Sequence, residues 1–103
     1  MPTYPQQSGF RPGPGGYKVV FNVSAATQVI QSGSGTVFRV YVNTAPTAAG
    51  GVYDMANGGT PSAANLICAI PAAAGIVEII APYYSGLYIN PGSGGNVAVS
   101  IGT

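Results

Sequence analysis

The sequence predicts an all-β chain: a single small β-sandwich or jelly-roll-like domain of about eight short strands, behind an extended Pro/Gly-rich N-terminal arm. Three observations carry this expectation. Residues 35–43, G-T-V-F-R-V-Y-V-N, alternate strictly, with Phe38, Val40 and Val42 on one side of an extended strand and Val37, Arg39 and Tyr41 on the other. Turn-forming residues recur at intervals of roughly 8 to 12, the spacing of short antiparallel strands. No comparable segment carries its apolar residues at helical spacing.

Taken in order, residues 1–16 form the arm and residues 17–103 the β domain. The arm holds Pro2, Pro5, Pro12 and Pro14 among four glycines, with Tyr4 and Phe10 as isolated aromatics. Such a stretch lacks the apolar periodicity to fold by itself and prefers extended, polyproline-like conformations. Aromatics and arginine are the side chains enriched at protein contacts, so Tyr4, Phe10 and Arg11 are the candidate anchors of an arm lying across a neighbouring subunit.

The domain opens with a strand over residues 17–23, followed by a weaker one over 26–31 around Val29 and Ile30. The clearest strand, residues 36–43, is bounded by Gly33-Ser34-Gly35 in front and by a small-residue loop containing Pro46 behind. A short strand over 52–56 closes on Asn57-Gly58-Gly59, whose first two residues favour a turn with positive φ. Residues 65–70 and 76–81 are the next two strands, ended by Pro71 and Pro82 respectively. Residues 87–90 follow, then a glycine-rich turn over 91–95. Val97, Val99 and Ile101 alternate with Ala98 and Ser100 to finish the chain.

Only 5% of the residues are charged, against about 25% in ordinary soluble domains. Arg11, Lys18, Arg39, Asp54 and Glu78 are the whole set. Near-neutral surfaces associate, so much of this surface is expected to be covered by partners or coated with neutral polar side chains. Three scattered cations cannot neutralise the roughly six to ten phosphates of a nucleic-acid footprint, and no nucleic-acid partner is expected. No run approaches the roughly 18 apolar residues of a membrane-spanning helix, and residues 1–7 carry neither the basic nor the apolar region of a secretory leader. No membrane partner is expected either.

Chemistry has little to work with. Histidine is absent and Cys68 is the single cysteine, which removes the usual serine and cysteine triads, any intrachain disulfide and multi-thiolate metal sites. Asp54 and Glu78 are read as solvated surface acids. Neither glycine cluster, 13–16 or 92–95, completes a phosphate-binding motif or leads into a helix. No catalytic residue, metal or cofactor is expected, and the chain is not expected to be an enzyme.

The seven tyrosines say more. Tyrosine offers apolar area with a polar tip at small entropic cost, which suits protein interfaces and sugar stacking alike. Tyr83 and Tyr84 fall in a loop reading Y-Y-S-G, where exposure is expected, and Tyr41 shares a strand face with Arg39. The candidate partner-binding residues are therefore Tyr4, Phe10, Arg11, Arg39, Tyr41, Tyr83, Tyr84 and Tyr88. Arg39 has two candidate internal partners, Glu78 and Asp54.

The stretches T-V-F-R-V-Y-V-N at 36–43, N-L-I-C-A-I-P at 65–71, A-G-I-V at 74–77 and S-G-L-Y-I-N-P-G-S-G at 85–94 together resemble small virion proteins of tailed bacteriophages. Tyr83-Tyr84 stands where such sequences tend to carry a Trp-Pro-Cys-like stretch, and the arm lies outside the resemblance. The resemblance implies a structural role: a capsid decoration or cement protein, made in the host cytoplasm and carried on the virion in many copies. Its partners would be the major capsid protein and copies of itself. A trimer is the expectation by analogy with such proteins. The alternative is a receptor- or carbohydrate-binding module of a tail or head fibre, with Tyr83, Tyr84 and Tyr88 as its stacking platform.

Overall fold

The computed structural model describes residues 18–102. The arm, with Tyr4, Phe10 and Arg11, lies outside the described residues. The described chain is all β, with eight strands: β1 (Lys18–Val23), β2 (Thr27–Ile30), β3 (Gly35–Thr44), β4 (Gly50–Tyr53), β5 (Leu66–Ile70), β6 (Gly75–Tyr83), β7 (Leu87–Asn90) and β8 (Asn96–Gly102). None of its helical turns is long and apolar enough to cross a membrane.

The strands form two antiparallel four-stranded sheets, ordered β1-β8-β3-β6 and β2-β7-β4-β5. Consecutive strands mostly lie in opposite sheets, so most connections cross the sandwich, and the order is the double Greek key of an eight-stranded jelly roll. The two inner faces share one core. Val40 and Val42 of β3 and Val97, Val99 and Ile101 of β8 meet Val52 of β4, Ile70 of β5 and Leu87 and Ile89 of β7, all buried. β8 lies centrally in its sheet and is buried on both faces, so even its outward Ala98 and Ser100 are covered.

Several expected boundaries move, each for a physical reason. β4 begins at Gly50 instead of Val52, because only a residue without Cβ fits there: at Gly50 a Cβ would run into the backbone of Pro91 and Gly92, and at Gly51 into Tyr53 and Leu66. β6 does not stop before Pro82 but runs through it to Tyr83. It is an edge strand, and proline costs no ladder hydrogen bond where its nitrogen faces the open side. Asn65 ends a single 3-10 turn instead of starting β5, its side chain completing a capping box with Ser62.

The strict alternation read in β3 is broken. Val37, not Phe38, is fully buried, while Phe38 is half-buried and lies outside the core. A bulge between Val37 and Arg39 changes the phase of the strand. Between matched pairs, Val99 to Ile101 on β8 lies opposite Val37 to Val40 on β3, and that stretch in turn faces Val77 to Ala81 on β6. Each strand outward thus gains a residue, and the sheet fans open towards β6. Ile80 takes up the longest path with φ at +49°, uncommon for a β-branched residue. The Arg39 N–H donates to the hydroxyl of buried Ser100 at 3.1 Å, which satisfies a group placed at the disruption.

Candidate functional site

The five described residues among the candidates separate into three places. The first is one end of the sandwich, where the 2–3, 4–5 and 6–7 connections meet. Asp54, just past β4, accepts the Tyr84 N–H on both carboxylate oxygens at 3.0 Å and the Ser85 N–H at 2.8 Å. Gly33 N–H donates to the Ser85 carbonyl at 3.1 Å, and Asn57 N–H to the Gln31 carbonyl at 2.8 Å. Gln28 donates its amide to the carbonyls of Ile30 and Met55 at 2.8 and 2.7 Å, tying β2 to the same loops. Gly86, with φ at +155°, packs where a Cβ would strike the carbonyls of Met55 and Ile30.

This network holds the backbone of Tyr84 while the residue stands 71% exposed. Asp54 is therefore not the solvated acid expected from its surroundings in sequence. It is half-buried and its charge is spent on backbone N–H groups. β1 begins at this same end, since Lys18 pairs with Ile101, Thr36 with Gly102 and Gly35 with Tyr83.

Tyr83 corrects a second expectation. It is the last residue of β6 and fully buried, so it is not an exposed neighbour of Tyr84. Its ring lies over Gly35, its cross-strand partner, filling the space a side chain there would need. Among the described residues its hydroxyl is the buried side-chain polar atom without a hydrogen-bond partner. Burial pushes its pKa above the ordinary phenol value.

The second place is the outer face of the β1-β8-β3-β6 sheet. Arg39 and Glu78 face each other across β3 and β6 and form a two-pronged ion pair, Nε to Oε1 and Nη2 to Oε2, the latter at 3.2 Å. Glu78, and not Asp54, is thus the partner of Arg39. Hydrogen bonding to Glu78, with a further contribution from Tyr41, raises the guanidinium pKa above its already high ordinary value. With the two side chains 30% and 51% exposed, water screens the pair and it adds little to fold stability.

The surroundings of that pair are apolar. Tyr41 pairs with Ile76, and Phe38 lies opposite the bulged Ile79–Ile80 step. Ile76 and Ile80 are 64% and 56% exposed, and Phe21 on β1 is 74% exposed. These isoleucines are absent from the candidates drawn from sequence, although they share the period-2 face of Glu78 and were readable there.

The third place is the outer face of the other sheet. Tyr88 on β7 is half-buried and meets Tyr53, its partner on β4, edge to face with ring centroids 6.0 Å apart. Tyr53 and Leu66 lie over Gly51. No pocket opens on the described surface, and no three His, Cys, Asp or Glu side chains gather among the described residues. Cys68 sits half-buried on β5 opposite Val52.

Comparison with known protein families, with curated proteins and with solved structures finds no match for this chain.

Proposed function

We propose that this chain is a structural protein of a tailed-phage virion, a capsid decoration or cement protein that binds the outer capsid surface and braces subunit junctions. The observation that carries the reading is the end of the sandwich where Tyr84 stands out from a braced loop, the same end at which β1 begins on the opposite edge of its sheet. An aromatic held by its own backbone loses little entropy when a partner closes on it, which is the economy of a contact residue. β1 begins at that end, so in this reading Tyr84 and the anchors Tyr4, Phe10 and Arg11, which precede β1 in sequence, address one partner, the major capsid protein. In this reading the chain works by contact alone and has no catalytic residue.

The few charges, and the lack of a pocket among the described residues, support a protein partner over a small molecule, which takes a concave site. The test is electron microscopy of particles from the source of this chain, labelled with an antibody against it. Many labels over the outside of the head support the reading. Purified particles without label overturn it.

A second reading, a receptor- or carbohydrate-binding module of a fibre, is favoured by one observation, the Tyr53–Tyr88 pair on an open sheet face. It loses Tyr83, which is buried. Label confined to fibres or tails, with binding on a glycan array that Tyr88→Ala abolishes, would favour this reading over the first.

A further inference from the structure

We infer that the outer face of β3 and β6 is a contact between two copies of this chain, related by a two-fold axis that runs along the strands midway between β3 and β6. The register places three rows across these strands: Tyr41 with Ile76, Arg39 with Glu78, and Phe38 with the Ile79–Ile80 step. Rotation about that axis lays each β3 residue over the β6 residue of its own row in the second copy. Arg39 then meets the second copy's Glu78 while Glu78 meets its Arg39, Tyr41 covers Ile76, and Phe38 covers Ile80. An isologous contact requires this reciprocity, in which residue i meets j and j meets i.

Charge supports a second copy as the occupant. The face carries one cation and one anion side by side, so two copies meet without net repulsion and each ion pair becomes part of a four-charge cluster. The apolar side chains around it, Ile76, Ile80, Phe38 and Tyr41, are exposed or half-buried and take no part in the core. Growth along the β6 edge is blocked, because that strand carries the bulge, the positive φ of Ile80 and the proline at 82. At this side of the sheet the outer face, and not the edge, is open to a second copy.

The patch is small. Two strands about 5 Å apart with their side-chain margins, over about seven residues at 3.3 Å each, give about 350 Å² per copy. Stable specific interfaces bury roughly 1,200 Å² or more in total. The dimer is accordingly weak and concentration-dependent, the regime in which many copies fixed on one particle reinforce one another. Only this last point rests on the proposed function.

Sedimentation velocity of the full chain, from about 10 μM to about 1 mM, tests the contact. The unaltered chain shifts from monomer to dimer. Arg39→Glu places two acids on the face and Glu78→Arg places two cations, so each variant alone stays monomeric, and an equimolar mixture of the two associates. Thermal melts confirm that both are folded. Should either fail to fold, Ile76→Ser with Ile80→Ser, which touches no core residue, removes the dimer instead, while Phe21→Ser on β1 leaves it intact. A chain that is monomeric up to the highest concentration, a trimer, a mixture that does not associate, or a dimer lost with Phe21→Ser and kept in the other variants each overturns the inference. A monomer that still labels phage heads overturns the copy-to-copy contact alone. A dimer that labels no particle overturns the virion reading alone.

Discussion

Tyr83 is the residue on which local reading and tertiary packing disagree most. Two tyrosines followed by Ser-Gly read as an exposed loop, yet the first closes β6 and fills the space above Gly35. Its buried hydroxyl has no partner among the described residues, and a buried polar group left unsatisfied costs free energy that its removal recovers. Tyr83→Phe is therefore expected to leave stability unchanged or raise it by up to about 1 kcal/mol, read as a urea midpoint at neutral pH. Burial raises the folded pKa of this phenol, while the unfolded value stays near 10. Its contribution to stability is thus fully present below about pH 10 and is lost as pH rises through the folded value. Between pH 8 and pH 11 the urea midpoint of the unaltered chain should fall further than that of Tyr83→Phe. Equal slopes would show that the phenol ionises as readily folded as unfolded.

Among the elements, β3 and the 6–7 loop show how packing chooses between readings that the letters leave equal. Val37 and Phe38 are both apolar, so either can serve as the inward residue of an alternating strand. The choice is made by β8 and β6, whose unequal path lengths demand a bulge, and by Ser100, whose hydroxyl receives the Arg39 N–H there. The loop depends on Asp54 in the same way. Its carboxylate binds the N–H groups of two residues that lie thirty or more positions away. Hydrogen bonds to a charged group are worth about 1.5 to 3 kcal/mol when both partners are largely desolvated, and Asp54 is only half-buried. Asp54→Ala should therefore cost about 1 to 2 kcal/mol. Hydrogen exchange should accelerate at the amides of Tyr84 and Ser85 and remain unchanged in β8. If those two amides keep their protection, the brace lies elsewhere.

On the scale of the whole molecule, the eight strands of the described residues begin at Lys18 and pair with one another in two sheets. A chain starting at residue 17 should keep a single cooperative melt within about 2 °C of the full chain, since it retains all eight of those strands. If the chain has the virion role proposed above, the same truncation should abolish or sharply weaken its occupancy of phage heads, measured by binding to particles and gel densitometry. Unchanged occupancy would sink the role given to the arm, and a collapsed melt would make residues 1–16 part of the fold.

Sequence alone determined the class of this protein, because strand identity is local: alternation, β-branched residues and turn-forming glycines and prolines act over a few neighbours. It also determined the poverty of titratable side chains, which is a matter of composition. The placement of Arg39 beside Tyr41, with Glu78 as one of two candidate partners, was readable for the same reason. Only the tertiary structure decided which sheet each strand joins, which residue of the Val37–Phe38 pair faces inward, that Tyr83 is buried while Tyr84 is exposed, and that Asp54 braces a loop. Each of these rests on contacts between residues far apart in the chain. Such contacts are set by the combined register of several strands, which no single stretch of sequence encodes.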